Sequence, residues 1–227
     1  LAELIVTIDG PAASGKSTVA RLLAGRIGAT FLDTGAMYRA VTLAAIQAGA
    51  DLNDEQQLLE VLRKTDFRFD VENDRMMVHI NGRDVTERLR KGEVTENARS
   101  IASVPAIRAK LVTMQREFAD VHSKIVTEGR DQGTVAFPDA DAKFFLTANI
   151  NERTRRRQAE LSAKGEEPNT NELREAIDQR DESDRNRSVG PLKPSDDMII
   201  IDTTNLRIEQ VVEKLLRHIK EKCSKKM

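Results

Sequence analysis

One octet near the start of the chain constrains the fold more than any other feature. It reads Gly10-Pro11-Ala12-Ala13-Ser14-Gly15-Lys16-Ser17, a complete match to the phosphate-loop pattern Gly-x-x-x-x-Gly-Lys-Ser/Thr. Its surroundings are those the pattern requires. Residues 3–8, Glu-Leu-Ile-Val-Thr-Ile, are apolar and β-branched with no turn former, as a buried parallel strand is. A helical pattern then runs from Lys16 to about Ile27. Between a strand and a helix, such a loop turns its backbone N–H groups inward around phosphates, and the helix N-terminus adds partial positive charge. The octet and Thr18 are therefore expected around the phosphates of a nucleotide. Lys16 can bridge the β- and γ-phosphates, and Ser17 can ligate Mg²⁺.

The rest of the chain continues an α/β pattern. Phe31-Leu32 leads into Asp33-Thr34-Gly35, and helices are expected at 36–47 and 54–63. Phe67, Phe69 and Val71 then alternate with polar residues, as do Met76, Val78 and Ile80, and Asn81-Gly82 is a tight-turn signal. Residues 64–98 read as a small antiparallel insert. Pro105 opens a helix ending near Val121. Strand-like runs recur at 124–127, 143–146 and 198–201, with helices expected at 151–163, 171–186 and 206–221. The last carries an apolar stripe, Val211, Val212, Leu215, Leu216 and Ile219, which is core packing. Outside the insert, strands and helices alternate, which implies a parallel sheet with helices on both faces.

Composition removes whole classes of function. The 227 residues are 39% hydrophobic and 32% charged with net charge −1, so a soluble fold with a core is expected, with neither a nucleic-acid groove nor a membrane surface as partner. No apolar run approaches the length of a membrane span. The chain enters its first strand-like run without a charged-then-apolar leader, and its one cysteine, Cys223, permits no disulfide framework; a cytoplasmic protein is expected. His79, His122 and His218 are too scattered to form a metal site.

A phosphate loop says nucleotide without saying what happens to it. The Asn-Lys-x-Asp segment of guanine-nucleotide switches is absent. The nearest acid after a hydrophobic run is Glu128, following Lys-Ile-Val-Thr, and it could support Mg²⁺ through water. Eight arginines fall between Arg153 and Arg187. Interspersed acids allow a solvated helical face, but arginine also provides bidentate phosphate binding. Transfer of a phosphoryl group between two anions needs cations around both and exclusion of water. The polar break at 164–171, Lys-Gly-Glu-Glu-Pro-Asn-Thr-Asn, suits a mobile flap.

Four further segments, Asp33-Thr-Gly-Ala-Met-Tyr-Arg39, Glu128-Gly-Arg-Asp-Gln-Gly-Thr134, Glu152-Arg-Thr-Arg-Arg-Arg157 and Arg180-Asp-Glu-Ser-Asp-Arg-Asn-Arg187, resemble those of the bacterial cytidylate kinases. The resemblance runs from about residue 4 to residue 220. It implies a P-loop NTPase fold divided into core (1–33), nucleoside-monophosphate region with the insert (34–105), core (106–150), lid (151–171) and core (172–227). It implies transfer from ATP·Mg²⁺ to CMP or dCMP; a monomer is expected. Thr34, Tyr38 and Arg39 would approach the acceptor, with Arg39 on its phosphate. Ser100, Arg108 and Asp131 would read cytosine, Arg130 would share the phosphate, and Arg180 and Asp184 would hold the ribose. Arg187 would lie near the reacting phosphates. Arg153, Arg156 and Arg157 would belong to the lid. Lys16, Arg130, Arg157 and Arg187 would be catalytic. Thr34 and Glu128 stand where serine and aspartate are frequent, and both keep the functional group.

The base chemistry agrees. A carboxylate such as Asp131 accepts from cytosine's amino group, and an arginine such as Arg108 donates to its ring, whereas uracil would present like to like. Each residue also has a plainer reading: Asp131 paired only with Arg130, Arg108 an exposed helix residue, Ser100 a helix cap, Asp184 and Arg187 a surface pair. Phe31-Leu-Asp33-Thr34-Gly35-Ala also resembles the active-site strand of aspartic proteases, which need two facing copies; one copy is present. A kinase of UMP, AMP or another small acceptor, or a non-catalytic nucleotide-binding regulator, remains an alternative on sequence grounds.

Overall fold

The computed structural model describes residues 2–72, 75–163 and 165–224, without the side chains of Cys223 and Ser224. The Cys223 thiol, and Lys164 at the head of the polar break, thus lie outside the described residues. The chain begins with β1 (Leu4–Asp9), α1 (Lys16–Ile27), β2 (Thr30–Asp33), α2 (Thr34–Ala48) and α3 (Glu55–Lys64). The insert follows as β3 (Phe67–Glu72), β4 (Arg75–Ile80) and β5 (Arg83–Asp84), then α4 (Gly92–Ser103) and α5 (Pro105–Asp120). The chain closes with β6 (Lys124–Gly129), a π-turn at Gln132–Ala136, β7 (Ala142–Thr147), α6 (Ile150–Ser162), α7 (Thr170–Asn186), β8 (Ile199–Asp202) and α8 (Ile208–Ser224).

Five strands form a parallel sheet in the order β2-β6-β1-β7-β8, while β3, β4 and β5 form a separate antiparallel sheet. In the central strands, neighbouring residues face opposite layers, because strand side chains alternate. Val6, Ile8, Phe31, Val126, Phe144 and Leu146 pack beneath α1 and α8 with Leu23, Val211 and Leu215. Leu32 and Ile125 turn the other way, into a core shared with Met37 and Val41 of α2, Leu111 of α5, and Val78 and Ile80 of β4. The insert is thus anchored by its own alternation, with Met76, Val78 and Ile80 buried.

The ends of the elements are chemically explicit. Asp33 caps α2 by accepting from the Ala36 N–H at 2.8 Å, and Pro105 occupies the first turn of α5. Asp33 thereby receives a structural task where its local sequence resembled a protease strand. One element departs from the sequence expectation: α4 occupies residues the periodicity assigned in part to the antiparallel insert. Gly92, Thr95, Asn97, Ser100 and Ser103 are weak helix formers. Tertiary packing of Val94 and Ile101, both buried, makes the helix instead.

β1 sits between β6 and β7, and the chain leaves β1 toward one side of the sheet and β6 toward the other. This reversal opens a crevice at the carboxyl ends of β1, β6 and β7, where open α/β sheets bind ligands.

Candidate active site

The phosphate loop begins where β1 ends. A Cβ at Gly10 would lie 2.0 Å from the Leu146 carbonyl oxygen, so only glycine lets the loop pass β7. Gly15 has φ +91 and Ala13 φ +57, and these left-handed residues turn the loop's amides toward its centre. Pro11 and Ser14 are buried, Ala12 is half-buried, and Thr18 is exposed on the first turn of α1. Lys16, buried at 5% exposure, donates from Nζ to the Pro11 carbonyl at 2.7 Å. Burial pushes its ammonium down to about 7, with the Arg130 charge adding to the effect. Ser17 Oγ donates to Glu128 Oε1 at 2.7 Å.

Those two oxygens come from the head of α1 and the tail of β6. Among the described residues no group of three His, Cys, Asp or Glu side chains is placed to hold a metal. A hydroxyl and a carboxylate side by side nevertheless suit Mg²⁺, which retains waters and draws further ligands from substrate phosphates.

Across the crevice, the residues expected on the acceptor side come together. Arg130 Nε donates to Asp184 Oδ2 at 2.6 Å, joining the end of β6 to α7. Arg187 Nη2 lies 3.5 Å from Asp184 Oδ1. Burial alone would raise the Asp184 carboxyl, but Arg130 and Arg187 outweigh it and hold the group below the usual range. Arg180 is pushed down to about 10, first by burial and then by Arg130. Arg108 and Asp131 form a buried ion pair, and Arg108 lies 5.6 Å from the centre of the Tyr38 ring. Burial raises the Tyr38 phenol to about 12. Arg39 reaches Asp33 at 3.4 Å, and Thr34 Oγ1 donates to the Glu128 carbonyl at 2.7 Å. Ser100 is half-buried on α4.

Among the described residues, the guanidinium nitrogens Arg39 Nε, Arg108 Nε and Arg180 Nε are buried without a hydrogen-bond partner, and Arg187 Nη2 has only its long ion pair with Asp184. Unmet buried donors are costly, and their gathering in one crevice suits an anionic ligand.

The arginines expected in a lid diverge. Arg153 is buried, pairs with Asp181 of α7, and donates to the Ala12 carbonyl at 3.3 Å. Arg156, one turn on, donates to the Thr203 carbonyl at 2.7 Å and the Ser14 carbonyl at 3.3 Å. Arg157 pairs with Glu160 on its own helix at 3.0 Å.

Several neighbours escaped the sequence reading. Arg99 is close enough for its charge to depress Arg180. Thr203 braces Ser14 and Arg156. Gly190 (φ +61) lies so near the Arg108–Asp131 pair that a Cβ would sit 2.0 Å from Asp131 Oδ2. Asp9, one residue before the loop, accepts from the Gln132 and Gly133 amides. An acid inside an otherwise apolar strand was the available signal for Asp9; Gly190 and Thr203 offered none.

A phosphate loop at a sheet reversal, facing a crevice of arginines and carboxylates, defines a P-loop small-molecule kinase. The fold is shared with an uncharacterized protein from Eubacterium ventriosum (TM-score 0.53, 13% identity, 96% of this chain and 99% of that chain). It is also shared with a gluconokinase from Sinorhizobium meliloti (TM-score 0.50, 13% identity, 96% and 93% covered). Sequence comparison is more specific. Residues 6–221 match the cytidylate kinase family. The cytidylate kinase of Stutzerimonas stutzeri is 43% identical, with 96% of each chain covered. That of Carboxydothermus hydrogenoformans is 44% identical, covering 96% of this chain and 97% of its own. The chain belongs to the cytidylate kinase family.

Proposed function

We propose that this protein transfers the γ-phosphoryl group of ATP to CMP and dCMP, releasing ADP and the nucleoside diphosphate. The observation that carries the reading is the buried Arg108–Asp131 pair close to the buried guanidinium nitrogens Arg39 Nε and Arg180 Nε, which lack a hydrogen-bond partner: a base reader next to an anion seat. Family membership supports the same assignment.

In this reading the loop from Gly10 to Ser17 cradles the donor phosphates. An oxygen of the acceptor phosphate attacks the γ-phosphorus, and the bond to the β-phosphate oxygen breaks. Lys16 leaves the Pro11 carbonyl for the β- and γ-phosphates, and Arg130, Arg187 and Arg157 stabilise charge on the transferring group. Ser17, and Glu128 through water, would hold Mg²⁺, which neutralises phosphate charge. Arg39 and Arg130 seat the acceptor phosphate, and Thr34 and Tyr38 line its approach. Arg180 and Asp184 hold the ribose, and Ser100, Arg108 and Asp131 read the base. Arg153 and Arg156 brace the loop from α6, and residues 151–171 act as a lid excluding water from the closed site.

Among the described residues no helix is long and apolar enough to cross a membrane. We place the protein in the cytoplasm, as a monomer acting on free nucleotides. The assignment is tested by a panel of nucleoside monophosphates with ATP·Mg²⁺, read by coupled ADP release. CMP and dCMP should exceed UMP and AMP in kcat/KM, by roughly 10⁴-fold for CMP over UMP. Equal use of UMP would leave a kinase and remove the base assignment.

A further inference from the structure

Asp131 stands at the N-cap of the π-turn Gln132–Ala136, yet its side chain makes no capping hydrogen bond. An aspartate in that position commonly accepts from the first amides of the turn. Here the Asp131 carboxylate is turned away, into the pair with Arg108. The amides it leaves are served from another strand: Asp9 Oδ1 accepts from the Gln132 N–H at 2.9 Å and Asp9 Oδ2 from the Gly133 N–H at 2.8 Å. Both oxygens of one carboxylate, 1% exposed, are thus committed to the two residues that follow Asp131.

We propose that Asp9 is a positioning residue for base recognition: by capping the 132–136 turn from β1, it frees the Asp131 carboxylate to face the cleft and fixes where it points. The inference rests on the reading of Asp131 as a base reader.

Both partners are rigid. Asp9 lies opposite Gly129 of β6 and Phe145 of β7 in the central strand of the sheet. The next residue is Gly10, which β7 confines. On the other side, the Gln132 side chain is held by Thr127, whose Oγ1 donates to Oε1 at 3.0 Å, and by Gln115, which accepts from Nε2 at 3.3 Å. Burial, more than any other cause, raises the Asp9 carboxyl to about 7, the two amides oppose that rise, and the Asp131 charge adds to it. A turn whose first amides were unmet would compete with Arg108 for the carboxylate of its own N-cap residue, Asp131. The same β1 carboxylate that ends beside the phosphate loop therefore sets the geometry of the acceptor site.

The test is the ratio of kcat/KM for CMP to that for UMP at saturating ATP, so that any effect on the donor site cancels. Asp9→Asn keeps the shape but offers one acceptor and one donor where two acceptors are needed. It should lower the ratio at least about tenfold. If Asp9 acts through Asp131, adding Asp9→Asn to Asp131→Asn should change the ratio no further, within about twofold, because residues acting as one unit are not additive. A merely structural role would slow both acceptors alike and leave the ratio at its wild-type value. That outcome, or losses that multiply in the double variant, overturns the proposal. Asp9→Ser, with one acceptor and no charge, takes the place of Asp9→Asn if circular dichroism shows the latter unfolded. A wild-type ratio near one overturns the reading of Asp131 and this inference with it. A wild-type preference that Asp9→Asn leaves intact overturns this inference alone.

Discussion

Arg108 and Asp131 pair with their side chains 2% and 6% exposed. Under the proposed base-reading role, cytosine binding would exchange this one buried partnership for two. Asp131→Asn keeps the volume and offers uracil's carbonyl a donor. The CMP-to-UMP ratio of kcat/KM should fall at least about tenfold, since mismatched buried polar groups cost roughly 1–3 kcal/mol. An unchanged ratio in a folded variant would separate Asp131 from base choice.

Lys16 carries a prediction in rate and another in protons. Lys16→Ala should lower kcat at least about 10²-fold in a folded protein. Burial and the Arg130 charge hold the free ammonium at about 7, so above that pH much of the ligand-free protein has a neutral Lys16. Bound phosphates favour the charged form and raise its pKa. ATP binding at pH 8 should therefore take up a proton, and affinity should weaken as pH rises from 7, by at most about tenfold per unit. Titration calorimetry at pH 8 in two buffers of different ionisation enthalpy measures the uptake, and Lys16→Ala should abolish it.

Gly190 tests how closely the loop after α7 covers the proposed base reader, Asp131. Its φ of +61 and its nearness to Asp131 and Arg108 leave no place for a methyl group. Gly190→Ala should lower kcat/KM for CMP at least about tenfold, the strained backbone alone costing about 1 kcal/mol or more. KM for ATP should stay within about threefold of wild type, because the P-loop lies across the crevice. Equal losses for both substrates would mean that the substitution disturbs more than the acceptor side.

Arg153 and Arg157 should behave as opposites. Arg153→Met breaks a buried pair and strands Asp181. It should cost about 3 kcal/mol or more, lowering Tm by roughly 6 °C or more in calorimetry. Arg157, paired on its own helix, should be replaceable by alanine within about 0.5 kcal/mol. Arg157→Ala should nevertheless slow transfer at least about tenfold, with KM for CMP little changed. Unaltered turnover would remove Arg157 from the catalytic set.

The contrast between those two arginines shows where sequence reading stops. A helix turns about 100° per residue, so a run of like residues is dealt to different faces: Arg153 inward, Arg156 to the loop, Arg155 outward to Glu152. The phosphate loop and strand–helix alternation were legible because their signals are local. Partner choice was not. Asp131 might have been spent on its neighbour Arg130, but Arg130 finds Asp184, 54 residues on, and Asp131 finds Arg108, 23 residues back. The helix over 92–103 and the π-turn after Asp131 were hidden for the same reason. One is made by packing of Val94 and Ile101, the other by a carboxylate from β1, and neither cause is written in the residues that adopt the shape.

The buried guanidinium nitrogens of Arg39, Arg108 and Arg180 that lack a hydrogen-bond partner have a meaning beyond catalysis. Selection for a durable fold alone would have replaced such side chains with apolar ones of similar volume. Each buried donor without a partner lowers stability, and what it offers in exchange is a place for negative charge. Where the orphaned donors all belong to cations, as these do, the packing itself marks a seat for an anion.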